Sequence, residues 1–143
     1  MVSSKIKGVI ITSLNQISDD RGSVLHMIRS DSNDFKSFGE CYFSEVLPGK
    51  VKAWKRHKHQ IQNLAVPIGQ IKIVLFNDSI IEEYLIGRPN NYFRITIPPG
   101  VIYGFSCISN DKALVVNCAD IPHDPMESES FDLNNNNIPY KWK

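Results

Sequence analysis

The chain has 143 residues, 42% of them hydrophobic and 22% charged, with a formal net charge of +1. That is enough for one domain, spanning 1–143, with its own core. It leaves no global field to draw the protein to nucleic acid or a membrane surface. No apolar run approaches the roughly 18 residues of a membrane-spanning helix, and residues 1–8 lack the apolar stretch of a signal peptide. Cys41, Cys107 and Cys118 are odd in number, far apart and set among apolar neighbours. They fit the reduced thiols of a cytoplasmic protein better than a disulfide framework.

In chain order, residues 7–14 (KGVIITSL) form a β-branched run that predicts a first strand. Residues 18–23 (SDDRGS) predict a turn, 24–28 (VLHMI) a strand, and 30–38 a loop or a single helical turn. Residues 39–47 (GECYFSEVL) predict a strand that places Glu40, Tyr42 and Ser44 on one face. Pro48-Gly49 ends it in a turn, and the most cationic stretch follows: Lys50, Lys52, Lys55, Arg56, His57, Lys58 and His59. As a strand, this stretch puts Lys55, His57 and His59 on one face, with Trp54, Arg56 and Lys58 on the other. The lysines then either line a site or form a solvated strand edge. His57 is equally open to a structural or a catalytic role.

Residues 63–67, 70–76, 92–97, 101–108 and 112–118 predict further strands, and 79–86 a strand or a helical turn. After residue 119 the composition turns to proline, asparagine and few aliphatics, ending on Tyr140 and Trp142. This predicts an irregular tail that wraps the domain on its aromatic end. About nine short strands with frequent turns and almost no helical periodicity predict an all-β fold, a sandwich or jelly roll.

Gly49, Lys55, His57, Gln62 and Gly69 follow the spacing G-x5-H-x-H-x(3,4)-E-x6-G of the first cupin motif, with Lys55 and Gln62 replacing two ligands. In Pro98-Pro99-Gly100-Val101-Ile102-Tyr103, Tyr103 stands where the second motif has a histidine. One remaining imidazole cannot close a metal site, so neither a metal nor another cofactor is expected. Within cupins the chain resembles the dTDP-4-dehydrorhamnose 3,5-epimerase family and its 3,4-ketoisomerase relatives. The resemblance rests on Asp20-Arg21-Gly22, on residues 49–55, on the Ile97–Phe105 segment IPPGVIYGF, on Asn117-Cys118, and on the ending Ile138-Pro139-Tyr140-Lys141-Trp142.

That resemblance implies a cupin jelly-roll β-barrel and a metal-independent epimerase in surface-polysaccharide precursor synthesis. Its substrate is a nucleoside-diphosphate 4-keto-6-deoxy sugar, deprotonated next to its ketone. A 3,4-ketoisomerase or a non-catalytic sugar-nucleotide binder is the alternative. Lys55 takes the family's base position, Val116 that of its tyrosine acid, and Gln62 lies near its lysine. His57 falls on the second histidine of the ketoisomerases, and Asp132 on the aspartate that orients the base. The expected catalytic residues are thus His57 or Lys55 as base, Tyr42 or Tyr103 as acid, and Asp132. Arg21, Lys52, Gln62, Ser44 and His59 are the expected substrate contacts. The partners expected are a nucleotide sugar and a second copy in a homodimer, joined at strand edges.

Overall fold

The computed structural model describes residues 3–143; Met1 and Val2, where the segment read above for a leader begins, lie outside the described residues. Twelve strands run β1 (Ile10–Ser13), β2 (Gln16–Asp19), β3 (Gly22–Leu25), β4 (Glu40–Val46), β5 (Val51–His57) and β6 (Gln62–Ile68), then β7 (Gln70–Asn77), β8 (Ile80–Gly87), β9 (Phe93–Ile97), β10 (Ile102–Cys107), β11 (Ala113–Ala119) and β12 (Ser128–Ser130). Among the described residues no helix is long and apolar enough to cross a membrane.

Ten strands form two facing antiparallel sheets. The first has the order β1-β9-β6-β11-β4 and the second β12-β5-β10-β7-β8, while β2 and β3 make a separate hairpin. This is the cupin-type jelly roll, with one correction: the sheets face each other as an open sandwich and are not closed into a barrel. The hairpin also corrects the strand expected at 24–28. Gly22 starts β3 and pairs with Asp19, so the strand begins before the apolar residues and ends at Leu25.

Between the sheets lies one apolar core. Leu64, Val66, Ile95, Ile97 and Val115 face it from the first sheet, and Ile71, Ile73, Leu75, Tyr103 and Phe105 from the second. Alternation on β7 sends Ile71, Ile73 and Leu75 inward and Val74 outward. Val74 is nonetheless buried, because the tail covers the outer face of the second sheet. There Ile138, Tyr140 and Trp142 pack around Trp54, with Tyr140 edge-on to Trp54 at 5.9 Å and Trp142 tilted against it at 5.2 Å. The aromatic end therefore anchors the tail. What composition hid is that the tail also contributes β12, which pairs with β5 along the sheet edge.

Two glycines position the strands that matter for the site. Gly100, at φ 90, turns the Pro-Pro-Gly corner and donates its backbone N–H to the His57 carbonyl at 2.8 Å. Gly104 lies so close to β5 that a Cβ there would sit 2.4 Å from that of Ala53. At this point the β5–β10 register shifts: Tyr103 pairs with Lys55, but Phe105 pairs with Lys52. The extra β5 residue breaks strict alternation, so Lys52 and Lys55, three apart in sequence, both reach the inner face.

Candidate active site

A cavity of about 390 Å³ is lined by residues of both sheets. Tyr42, Ser44, Leu64, Val115 and Asn117 form its wall on the first sheet; Lys52, Lys55, Tyr103 and Phe105 form the opposing wall. Phe131, just past β12, closes one flank. Lys52 Nζ donates to Ser44 Oγ at 2.9 Å, linking the two sheets.

Behind Tyr103 lies a buried polar relay. His57 is 6% and Glu127 4% exposed. His57 Nδ1 hydrogen-bonds the Glu127 carboxylate, whose other oxygen accepts the backbone N–H groups of His59 and Gln60, both at 3.2 Å. Burial pushes the Glu127 carboxyl up, but the His57 hydrogen bond and the two amides outweigh it and hold the group below the ordinary carboxylate value. An ionised Glu127 can only accept, so His57 Nδ1 carries the hydrogen of this bond and Nε2 is turned to the other side. The Tyr103 hydroxyl faces Nε2 at 3.4 Å, the two rings stacked with centroids 6.1 Å apart. Burial, helped by the negative charge of Glu127, raises the Tyr103 phenol above its usual value, so it rests protonated.

The relay is built by pairing. In the β12–β5 register Ser128 stands opposite His57 and Ser130 opposite Lys55, and the Lys58 N–H donates to the Glu127 carbonyl at 2.7 Å. Glu127 thereby arrives beside a residue seventy positions earlier.

On the facing wall, the Tyr42 hydroxyl accepts a hydrogen bond from Asn117 Nδ2 at 2.8 Å. Burial raises its phenol also, with the Asn117 bond acting in the opposite direction. Tyr42 keeps 40% of its surface exposed.

Of the residues expected from sequence, Tyr42, Ser44, Lys52, Lys55 and Tyr103 line the cavity, and His57 lies behind Tyr103. Four others are placed elsewhere. Asp132 does not bond His57: it is an exposed turn residue whose Oδ1 accepts the Asn134 N–H at 3.0 Å, and Glu127 takes the orienting position. Arg21 sits at the tip of the β2–β3 hairpin, outside the cavity wall, in an exposed ion pair with Asp19 at 2.7 Å. The His59 side chain is exposed beyond the end of β5, and only its backbone N–H takes part. Gln62 is fully buried behind Asn117 and does not reach the cavity.

Val116, expected at the position of the acid, pairs with Phe43 and Ala65. Its neighbours Val115 and Asn117 are the residues on the cavity wall. Sequence reasoning missed Glu127, Asn117 and Phe131. The alternation Glu127-Ser128-Glu129-Ser130 was the available strand signal for the first.

No protein-family model matches the chain. A solved dTDP sugar isomerase from Desulfovibrio desulfuricans G20 is 45% identical, with 95% of this chain and 91% of that one covered and a TM-score of 0.93. The probable low-salt glycan biosynthesis epimerase Agl13 of Haloferax volcanii is 30% identical over 121 residues, 78% of this chain and 77% of its own. The spore coat polysaccharide biosynthesis protein SpsL of Bacillus subtilis is 26% identical over 146 positions, 96% of each chain. At 17% and 18% identity, a dTDP-4-dehydrorhamnose 3,5-epimerase of Bacillus anthracis and a sugar 3,4-ketoisomerase of Thermoanaerobacterium thermosaccharolyticum, both bound to TDP, share the fold, with TM-scores of 0.84 and 0.74.

Glu127→Ala removes the partner of three buried donors and should destabilise the fold by about 2–4 kcal/mol near neutral pH. Because the folded carboxyl titrates below the ordinary carboxylate value, the charge-dependent part of this stability is present above that ordinary value. It is lost as pH falls through the folded pKa. Urea denaturation of Glu127→Gln and wild type should therefore show a stability gap at neutral pH that narrows in acid; a pH-independent gap contradicts the ionised relay.

Proposed function

The chain belongs to the family of cupin-fold dTDP-sugar epimerases and isomerases, and on that premise we propose that it is a metal-independent 3- or 3,5-epimerase. Its substrate is a nucleoside-diphosphate 4-keto-6-deoxy sugar, in the synthesis of surface-polysaccharide precursors. The observation that carries this reading is that two tyrosines meet the cavity from opposing sheets, and one of them is backed by the His57–Glu127 pair. The names of the relatives, one a glycan biosynthesis epimerase and one a spore coat polysaccharide protein, support the pathway class.

Inversion at a carbon next to a ketone needs a base on one face of the sugar ring and an acid on the other. From the second-sheet wall, the Tyr103 oxygen takes the α-proton as its own proton passes to His57 Nε2. The C–H electron pair becomes the enolate, and the new imidazolium is stabilised by Glu127. The Lys55 ammonium holds the enolate oxygen. Tyr42, on the first-sheet wall, delivers its proton to the opposite face of the carbon. Exposed Tyr42 then recovers a proton from solvent, and the relay releases the one it took. Lys52 supplies a point charge for the diphosphate, and Phe131 offers a ring for the nucleoside base to pack against. Of the two residues the sequence offered as base, His57 is in this scheme the final proton acceptor behind Tyr103, and Lys55 is a contact to the enolate oxygen.

The 3,4-ketoisomerase reading is favoured by one observation: the histidine with the relay is the one that falls on the second histidine of those enzymes. We also place a homodimer at β4. It is one of the two edge strands of the first sheet, and its Phe43 side chain is 69% exposed.

With a panel of 4-keto nucleotide sugars in deuterated water, wild type should incorporate label at an α-carbon with inversion. Tyr103→Phe and His57→Asn should each slow this by about 10²–10⁴-fold. Product with its carbonyl moved to C3 would establish the isomerase instead, and label entering unchanged in both variants would sink the relay. For the dimer, Phe43→Asp should sediment as a monomer at concentrations where wild type is dimeric; a monomeric wild type refutes it.

A further inference from the structure

Tyr42 is the last member of a directional chain of amides. Gln60 Nε2 donates to Glu40 Oε2 at 3.0 Å and to the Ile121 carbonyl at 2.8 Å, which uses both of its hydrogens. Gln60 Oε1 accepts from Gln62 Nε2 at 2.5 Å. Gln62 Oε1 accepts from Asn117 Nδ2, whose remaining hydrogen goes to Tyr42 Oη. The orientation is forced from the far end. A carboxylate and a carbonyl can only accept, so Gln60 must present its NH2 to them and its oxygen to Gln62. Each following amide inherits the same sense. Turning any one of them sets oxygen against oxygen or NH2 against NH2.

Two consequences follow. Tyr42 Oη is an obligatory acceptor towards Asn117, so its own O–H is not used on that amide and is available to a molecule in the cavity that Tyr42 lines. Asn117 Oδ1 is left buried with no partner among the described residues. A buried orphan acceptor is costly. The fold keeps it because the ladder holds Asn117 in the orientation that serves Tyr42.

We propose that Gln60, Gln62 and Asn117 are positioning residues: a proton-ordering ladder, anchored on Glu40, that makes Tyr42 a dedicated donor and stabilises the phenolate left when its proton is given up. None of them acts on substrate as an acid or base. This rests on the epimerase reading for its use but not for its existence, because the ladder can be read without substrate.

The test installs a fluorinated tyrosine at position 42, which brings the phenol's ionisation into a range the fold survives. Its titration is followed by fluorine NMR in the otherwise wild-type chain, in Asn117→Leu and in Gln62→Leu. A donor to the phenolate favours the charged form, so removing Asn117 should raise the Tyr42 titration by about one pH unit. Gln62→Leu leaves Asn117 in place but frees it to turn, and should also raise it. A downward shift in Asn117→Leu means the amide was accepting, which overturns the proposed order. No shift in Gln62→Leu overturns the ladder beyond Asn117. Retained circular dichroism and cooperative unfolding confirm that both variants fold. With natural Tyr42 and a keto-sugar substrate, Gln62→Leu should lower kcat about tenfold with KM little changed, and add nothing further to Tyr42→Phe. Upward shifts together with no turnover by wild type would overturn the epimerase reading and leave the ladder standing.

Discussion

The Glu127 carboxylate is the interaction on which the rest of the site depends. One oxygen holds the His57 ring and the other holds two backbone amides at the exit of β5. A buried carboxylate is tolerated only when its lone pairs are met by donors. Here they are met by three, and all three come from a segment seventy residues upstream. The same contact thus ties the tail to the second sheet and sets the tautomer of His57. It also determines that Tyr103, rather than the histidine, faces the cavity. The Pro-Pro-Gly corner reinforces this from the other side, since Gly100 binds the His57 carbonyl and Tyr103 follows three residues later.

The inner faces of the two sheets oppose each other across the cavity, as the proposed two-sided proton transfer requires. The second sheet presents the relay and two lysines, and the first presents Tyr42 backed by amides. The irregularity at Gly104 and Ala53 is what lets Lys52 and Lys55 join Tyr103 on one wall. A regular β5 would have turned one of the two outward. Burial keeps Tyr103 protonated at rest, and the partial exposure of Tyr42 gives it a route to solvent. The two phenols therefore have different environments.

Much of this was legible in the sequence, for local reasons. Short β-branched runs and frequent Pro/Gly/Asn turns marked the strands. Alternation on 40–46 placed Tyr42 and Ser44 together, and the Ile-Pro-Pro-Gly motif located Tyr103. What could not be read came from pairing between distant segments. Residues 126–130 look like polar tail, and only the β12–β5 register makes Glu127 a partner of His57, while Asp132 is held in a turn of its own. Gln62 looked like a substrate contact, but its strand buries it behind Asn117 and gives it an indirect part. Lys52 was expected inside because of family likeness; strict alternation alone would have placed it opposite Lys55. Arg21 stands on the exposed hairpin tip beside Asp19, away from the cavity wall of its own chain.

The central claim is that inversion arises because proton removal and proton return come from opposite sheets. The most direct measurement is solvent deuterium incorporation by Tyr42→Phe, with the configuration of the labelled carbon read by NMR. Loss of the acid on one face, with the relay on the other intact, should let label enter the substrate with retained configuration while inversion falls by at least about a hundredfold. Inversion at the wild-type rate in Tyr42→Phe, or loss of exchange and inversion in equal measure, would contradict it.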